Sequence, residues 1–394
     1  MPGLNPILTL PHRVGAFWGS VGNAGIITGV VDLVKDPSNS GSLTRSTTFI
    51  RSLVVPAILK VFTAAICALT TTLASAQSDR VYPVSGSMIS GKVTDIKPDG
   101  VTVESGSKKT SVAVDGIAKI VFDGEPASLS KGREFVISGQ YDQALDELKR
   151  IGAGDLKRDV VKTDAMFFLA QSESKMALTG RGSTTDAATK MLGFVRANPT
   201  SFHFYEAAKT LGDLAVSMGK YDQATTYYGA LAKAPSLDLK IESKYLTGQS
   251  KLGQGSDAEA QADFDAVIGI KAESTAALRI QTLAKAGRAV ALARQGKGDE
   301  GMKLVDSLIE TLNPADSEMS ARIYNAQGAT LESAGDTLGA TIAYLHTHLM
   351  CSGQADAHAE ALSRLVGLWT KLGKPDRAAE ARSELQQRYP GWGK

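Results

Sequence analysis

Three patterns of apolar and polar positions follow one another along the chain. Val61 to Leu73, VFTAAICALTTTL, is an almost unbroken apolar run. From about residue 80 to 124 apolar positions alternate with polar ones. Ile89, Gly91 and Val93 are followed by Asp99-Gly100 and then by Val101 and Val103, which reads as strand, tight turn, strand. Val112 and Val114, then Asp115-Gly116, then Ile117, Ile120 and Phe122 repeat that figure and predict a second hairpin. Four or five short strands in 45 residues predict a small all-β module, residues 80–124, of SH3-like type. Alone it would bury little apolar surface. Phe122-Asp-Gly-Glu-Pro126 runs into helical sequence without a linker, so the module is expected to pack on the helices that follow.

The third pattern repeats. Gly139-Gln-Tyr-Asp-Gln-Ala144 recurs as Gly219-Lys-Tyr-Asp-Gln-Ala224. The same Gly-x4-Ala frame stands at Gly182/Ala187, Gly255/Ala260, Gly335/Ala340 and Gly373/Ala378, with a degenerate copy at Gly296/Gly301. Successive glycines are 43, 37, 36, 41, 39 and 38 residues apart. Repetition at this period is the mark of stacked supersecondary units. A small residue stands seven positions before the glycine at Gly132, Gly212, Gly248, Ala289 and Gly328, and a proline follows the Ala slot at Pro199, Pro235, Pro314 and Pro390. The glycine suits a left-handed helix cap, the alanine a close helix approach, and the proline a helix stop.

Gly212, Gly219, Tyr221, Ala224 and Pro235, and in the last copy Leu365, Trp369, Gly373, Ala378 and Pro390, resemble the tetratricopeptide repeat (TPR) family. The resemblance spans about residues 128–392 and implies a mainly α fold, a TPR-like superhelix of helical hairpins with the small β module before it. It implies that the first helix of each pair lines a concave face. Counted from the anchor glycines, ridge positions on that face are Lys209, Asp213, Tyr245, Gln249, Arg322 and Asn325, with Ala286 and Val290 as a smooth apolar floor. The family's carboxylate clamp is not reproduced as a set. The order of an exported β module and a repeat array also resembles a class of bacterial envelope proteins.

The apolar run changes the picture of where the protein works. Lys60 precedes it and Ala74-Ser75-Ala76 follows it, the parts of a secretory signal with cleavage after Ala76. It is expected to be a signal peptide over residues 53–76, after an unstructured extension or mis-assigned start at 1–52; translation from Leu53, Val54 or Val55 would give a signal of normal length. The alternative is a membrane anchor formed by residues 53–75. The expected location is exported, periplasmic or envelope-associated, with no integral span once the signal is cleaved. Only Cys351 then remains, so no intramolecular disulfide is available.

The chain has 394 residues with 43 basic and 41 acidic side chains, and residues 77–394 carry 38 and 39 of these. With so little net charge and 6% aromatic residues, neither the basic field nor the stacking platform of a nucleic-acid binder is present. Candidate chemistry is thin. Gly296-Lys-Gly298-Asp-Glu-Gly301 fits G-x-G-x-x-G but follows an Ala/Leu/Arg helical stretch and coincides with a repeat turn, not with a strand. His346, His348, Cys351 and His358 suggest a metal, but residues two apart on a helix point apart, and no metal is expected there. There is no P-loop, G-x-S-x-G or H-E-x-x-H. No cofactor and no catalysis are expected. The expected role is a non-enzymatic scaffold for a protein or peptide partner in the cell envelope. The alternative is an enzyme or carbohydrate-binding protein with a site where the β module meets the first repeats, near Tyr82, Glu104 or Glu134.

Overall fold

The structure, a computed structural model, describes residues 78–390 and 392. The expected extension at 1–52 and signal at 53–76 lie outside the described residues. Five antiparallel strands come first: β1 (Asp79–Pro83), β2 (Ile89–Lys97), β3 (Gly100–Ser105), β4 (Lys108–Ala113) and β5 (Ile117–Val121). Their order in the sheet is β4-β3-β2-β1-β5, so the last strand returns to the first. The hairpin between β2 and β3 forms as its sequence predicts, but its two turn residues are Pro98 and Asp99, one position earlier than the expected Asp99-Gly100, and Gly100 opens β3 opposite Lys97. The Asp115-Gly116 pair does something else. Val114–Gly116 is a short 3-10 turn; β4 pairs with β3 and β5 crosses to β1. The amide of Val114 donates to the carbonyl of Asp99 at 2.9 Å and that of Val84 to the carbonyl of Gly116 at 2.9 Å, which holds the chain in the crossing. Val81, Val101, Val103, Ile120 and Phe122 are the module's buried side, and they share one core with Leu129, Leu148, Phe167 and Phe168 of the helices.

Fourteen helices follow among the described residues, in seven antiparallel pairs. They are α1 (Ala127–Ile137) with α2 (Tyr141–Leu148), α3 (Asp159–Leu178) with α4 (Thr184–Ala197), and α5 (Phe204–Ser217) with α6 (Tyr221–Tyr228). Next are α7 (Leu237–Gln254) with α8 (Asp257–Gly269), α9 (Thr275–Arg294) with α10 (Gly298–Glu310), α11 (Ser317–Ser333) with α12 (Thr337–Met350), and α13 (Ala355–Lys371) with α14 (Pro375–Arg388). The arrangement is a TPR-like stack of hairpins. Serine or aspartate caps several N-termini, as where Ser274 Oγ accepts from the amide of Ala277 at 3.0 Å and Asp336 from that of Gly339 at 2.8 Å.

The first helices end in one recurring geometry. At α5 the amide of Gly219 donates to Val216 and that of Lys220 to Ala215, at 2.9 and 2.8 Å, the two bonds of a Schellman cap. Gly219 has φ +68°, where a Cβ is penalised. Gly219→Val should therefore lower stability by about 1–2 kcal/mol, against about ±0.5 kcal/mol for an ordinary surface change. Urea unfolding measures it, and equal midpoints would mean that the turn is not anchored there. One copy is shifted. In the second hairpin the six-residue bond runs from the amide of Arg181 to Met176, so Gly180 and not Gly182 fills the cap position. Two extra residues before α4 explain why that copy fits the repeat poorly.

The small residue seven before the cap has a fixed partner sixteen positions on. A Cβ at Gly212 would lie 2.2 Å from the ring of Tyr228, one at Gly248 2.8 Å from Phe264, and one at Gly328 2.6 Å from Tyr344. Each ring of a second helix thus seats on bare backbone of the first. The end of the stack then comes back on its beginning: a Cβ at Gly180, in the α3–α4 turn, would lie 2.8 Å from the carbonyl oxygen of Arg388 at the end of α14. The first helices consequently surround an inner space.

The β module is fastened to this stack by buried charge. Asp79, fully buried, accepts the amides of Val93 and Asp123 at 2.9 Å each and Arg158 at 2.6 Å. Those bonds outweigh the upward push of burial and hold its carboxyl below the ordinary value. Tyr205 on α5 donates to Asp99 at 2.8 Å.

Candidate functional site

A cavity of about 1400 Å³ occupies the inner space. Its walls are α3, α5, α7, α9, α11 and α13, with Tyr389 and Trp392 from the chain's end. All six ridge positions line it: Lys209, Asp213, Tyr245, Gln249, Arg322 and Asn325. The reason is phase. Each was counted from a cap that fixes the rotation of its helix, and successive first helices turn the same face inward.

These side chains do not wait free for a ligand. Lys209 pairs with Glu242 on the next first helix. Burial would depress its ammonium, but Glu242 and Asp213 hold its pKa above the usual lysine value. Asp213 accepts from Tyr228 Oη at 2.8 Å and faces Lys175 at 3.7 Å. Burial, with Asp213 beside it, raises the phenol of Tyr228. Tyr245 accepts from Gln249 Nε2 at 3.0 Å. Arg322 pairs with Asp356, and Asn325 Nδ2 donates to the carbonyl of Ala357 at 2.8 Å, both across to α13. Burial pushes the carboxyl of Asp356 up, but Arg322 holds it below its ordinary value.

Arg279 to Asp316 at 2.7 Å and Arg294 to Glu360 at 3.0 Å continue the same stitching of one hairpin to another. The positions Glu242, Arg279, Arg294, Asp356 and Glu360 were not singled out from sequence. They lie on first helices of their hairpins and, like the six ridge positions, line the cavity. Arg364 lines the cavity too and holds no ion pair among the described residues.

The floor is only partly the smooth apolar surface expected. Leu283, Ala286 and Val290 of α9 do form an apolar strip, but charged walls rise on both sides. Six cationic side chains (Lys175, Lys209, Arg279, Arg294, Arg322 and Arg364) face nine carboxylates around the cavity, so its lining is acidic in sum.

A second cavity, of about 470 Å³, lies where β5 and the 3-10 turn meet α1, α3, α5 and α7. Tyr82, Glu104 and Glu134 do not line it. Lys119 lies over the ring of Tyr82, 5.0 Å from its centroid, and pairs with Glu134, while Glu104 faces Lys109 at 3.9 Å. What does line it is His203, Asp164 and Glu206. His203 Nε2 is 2.8 Å from Asp164 and its ring stacks on Phe167 at 3.8 Å. Burial opposes protonation of the imidazole, but Asp164 and Glu206 prevail and raise its pKa.

The other sequence candidates separate. Gly296 is the cap between α9 and α10, with φ +80°, and the element directly before it is the helix α9, not a strand. His346 stacks on Tyr324 at 3.6 Å, and Cys351 is buried between Ala321 and Ala357. His348 and His358, by contrast, meet at 2.9 Å. Among the described residues no helix is long and apolar enough to cross a membrane.

Neither a protein-family model nor a curated protein matches the chain. Solved structures do resemble it. A tetratricopeptide repeat protein from Parabacteroides merdae is 15% identical with a TM-score of 0.46, over 66% of this chain and 91% of that one. A Rap protein complexed with competence and sporulation factor is 15% identical with a TM-score of 0.47, over 66% and 73%. The TPR domain of P58(IPK) is 16% identical with a TM-score of 0.24, over 68% and 76%.

Proposed function

We propose that this chain is a non-enzymatic binding scaffold of the bacterial cell envelope, exported by the signal at 53–76, that holds a peptide segment of a protein partner within its inner cavity. The observation that carries the reading is the cavity itself. At about 1400 Å³ it exceeds the roughly 300–1,000 Å³ of small-molecule pockets. It is built by the inward faces of successive hairpins, the surface that repeat arrays present to partners. An excess of carboxylates over cations favours a partner segment rich in lysine and arginine.

The test uses two labelled peptides of about twelve residues, one lysine-rich and one glutamate-rich, in fluorescence anisotropy at low salt. The basic peptide should bind at least tenfold more tightly and weaken as salt rises. Gln249→Trp, which fills the cavity from α7, should reduce that binding at least tenfold with the circular dichroism unchanged. Equal binding of both peptides, or no effect of the filled cavity, would overturn the reading.

A further inference from the structure

We propose that His348, His358 and Glu384 form a binding site for a divalent transition-metal ion, with zinc the best match, at the junction of the last two hairpins. The three come from three helices. His348 is in the last turn of α12, His358 in the first turn of α13, and Glu384 in the last turns of α14. One donor atom from each lies within 4.8 Å of the others.

His348 Nδ1 and His358 Nε2 stand 2.9 Å apart. The rings are parallel to within 2° with centroids 5.1 Å apart, the separation of imidazoles meeting edge to edge, nitrogen toward nitrogen. Glu384 Oε1 is 3.8 Å from His358 Nε2, and its Oε2 is 4.0 Å from His348 Nε2. Two imidazoles and a carboxylate are donors that zinc accepts, and three protein ligands with one open position is the common arrangement of its accessible sites. Tetrahedral zinc with bonds of about 2.0–2.1 Å needs its nitrogen ligands ~3.3 Å apart. The facing nitrogens must therefore open by a few tenths of an ångström and tilt. His348 can supply that movement: it is the partly exposed ring of the pair, near a helix end, whereas His358 is fully buried.

The surroundings prepare the buried ligand. Tyr389 Oη lies 2.8 Å from His358 Nδ1, which fixes the ring and leaves Nε2 toward the site. An oriented imidazole with its second nitrogen held by an outer partner is the usual support of a metal ligand. The adverse charge is Arg388, 3.0 Å from Glu384 Oε1. Arg388 is also anchored to the carbonyl of Ser352 at 3.0 Å, so it can release the carboxylate and keep a partner. An ion here would tie α12, α13 and α14 together, and α14 is the helix whose end closes the inner cavity against Gly180.

The experiment uses the full chain without a polyhistidine tag, stripped with chelator, titrated with zinc chloride by calorimetry and melted with and without zinc. One ion per chain and a rise in melting temperature are expected. Cobalt(II) should give the intense visible bands of a four-coordinate nitrogen/oxygen site. His348→Ala and Glu384→Gln, both at partly exposed positions, should abolish saturable binding while their metal-free melting stays near that of the parent. Tyr389→Phe should weaken binding about 10- to 100-fold. Absence of zinc-dependent heat and melting shift in the parent chain overturns the proposal, and that result needs no variant. So does unchanged affinity in the His348→Ala, Glu384→Gln double variant.

Discussion

Arg133→Met should lower the unfolding free energy by about 3–5 kcal/mol, the cost of leaving a buried ion pair half removed. Arg133 on α1 is 1% exposed and sits between two carboxylates. It donates to Glu125 through two bonds of 2.8 and 2.7 Å and to Asp164 at 2.6 Å, and Asp164 reaches on to His203. Burial works against the guanidinium charge, and Asp164 and Glu125 more than restore it. The methionine would fill much of the same space but strand both acids away from water. A domain with a total stability of about 5–15 kcal/mol cannot absorb that unnoticed. Urea unfolding should show a lower midpoint with an unchanged slope. Adding Glu125→Gln and Asp164→Asn, which removes the stranded charges but keeps their shapes, should recover a large part of the loss. A single variant within 1 kcal/mol of the parent would show that these groups do not lock α1 against α3.

Phe264→Ala should cost about 3–5 kcal/mol, the usual penalty for emptying an aromatic site in a packed core. Phe264 on α8 is fully buried and is gripped from two sides. A Cβ at Gly248 would lie 2.8 Å from its ring, and one at Gly287, in the next hairpin, 2.5 Å. The ring therefore belongs to two hairpins at once, and its loss leaves a cavity that two rigid backbones cannot close. Gly287→Ala alone should destabilise by about 1–3 kcal/mol through overpacking. Combined with Phe264→Ala it should cost less than the sum of the two, because the added methyl then enters the vacated space. Strict additivity in thermal and urea unfolding would contradict this packing.

The repeat was legible because its constraints are local. A left-handed turn demands glycine whatever lies around it, so Gly139, Gly219, Gly255, Gly296, Gly335 and Gly373 announced the bends, and each has positive φ. Counting from those bends fixed helical phase, which is why Lys209, Asp213, Tyr245, Gln249, Arg322 and Asn325 line one cavity. Where local chemistry allows two outcomes, the sequence misled. Asp115-Gly116 has the composition of a hairpin, yet a 3-10 turn carries the chain across the sheet, so that β5 pairs with β1 and β4 is left at the edge. Gly180 and Gly182 both satisfy a turn, and only the hydrogen bond of Arg181 to Met176 shows which one caps the helix.

The sequence by itself determined the seven hairpins and six of their seven bends, for each depends on residues within one turn or one helix pair. The tertiary structure alone decided three things. It set Tyr228, Phe264 and Tyr344 on the glycines sixteen residues before them; it joined Glu125, Arg133, Asp164 and His203 into one chain of charge; and it brought the turn at Gly180 against Arg388. That closure depends on the small rotation between neighbouring hairpins, added up over the stack. Each rotation is set by how side chains of different hairpins interlock, and no periodicity along a single chain records it.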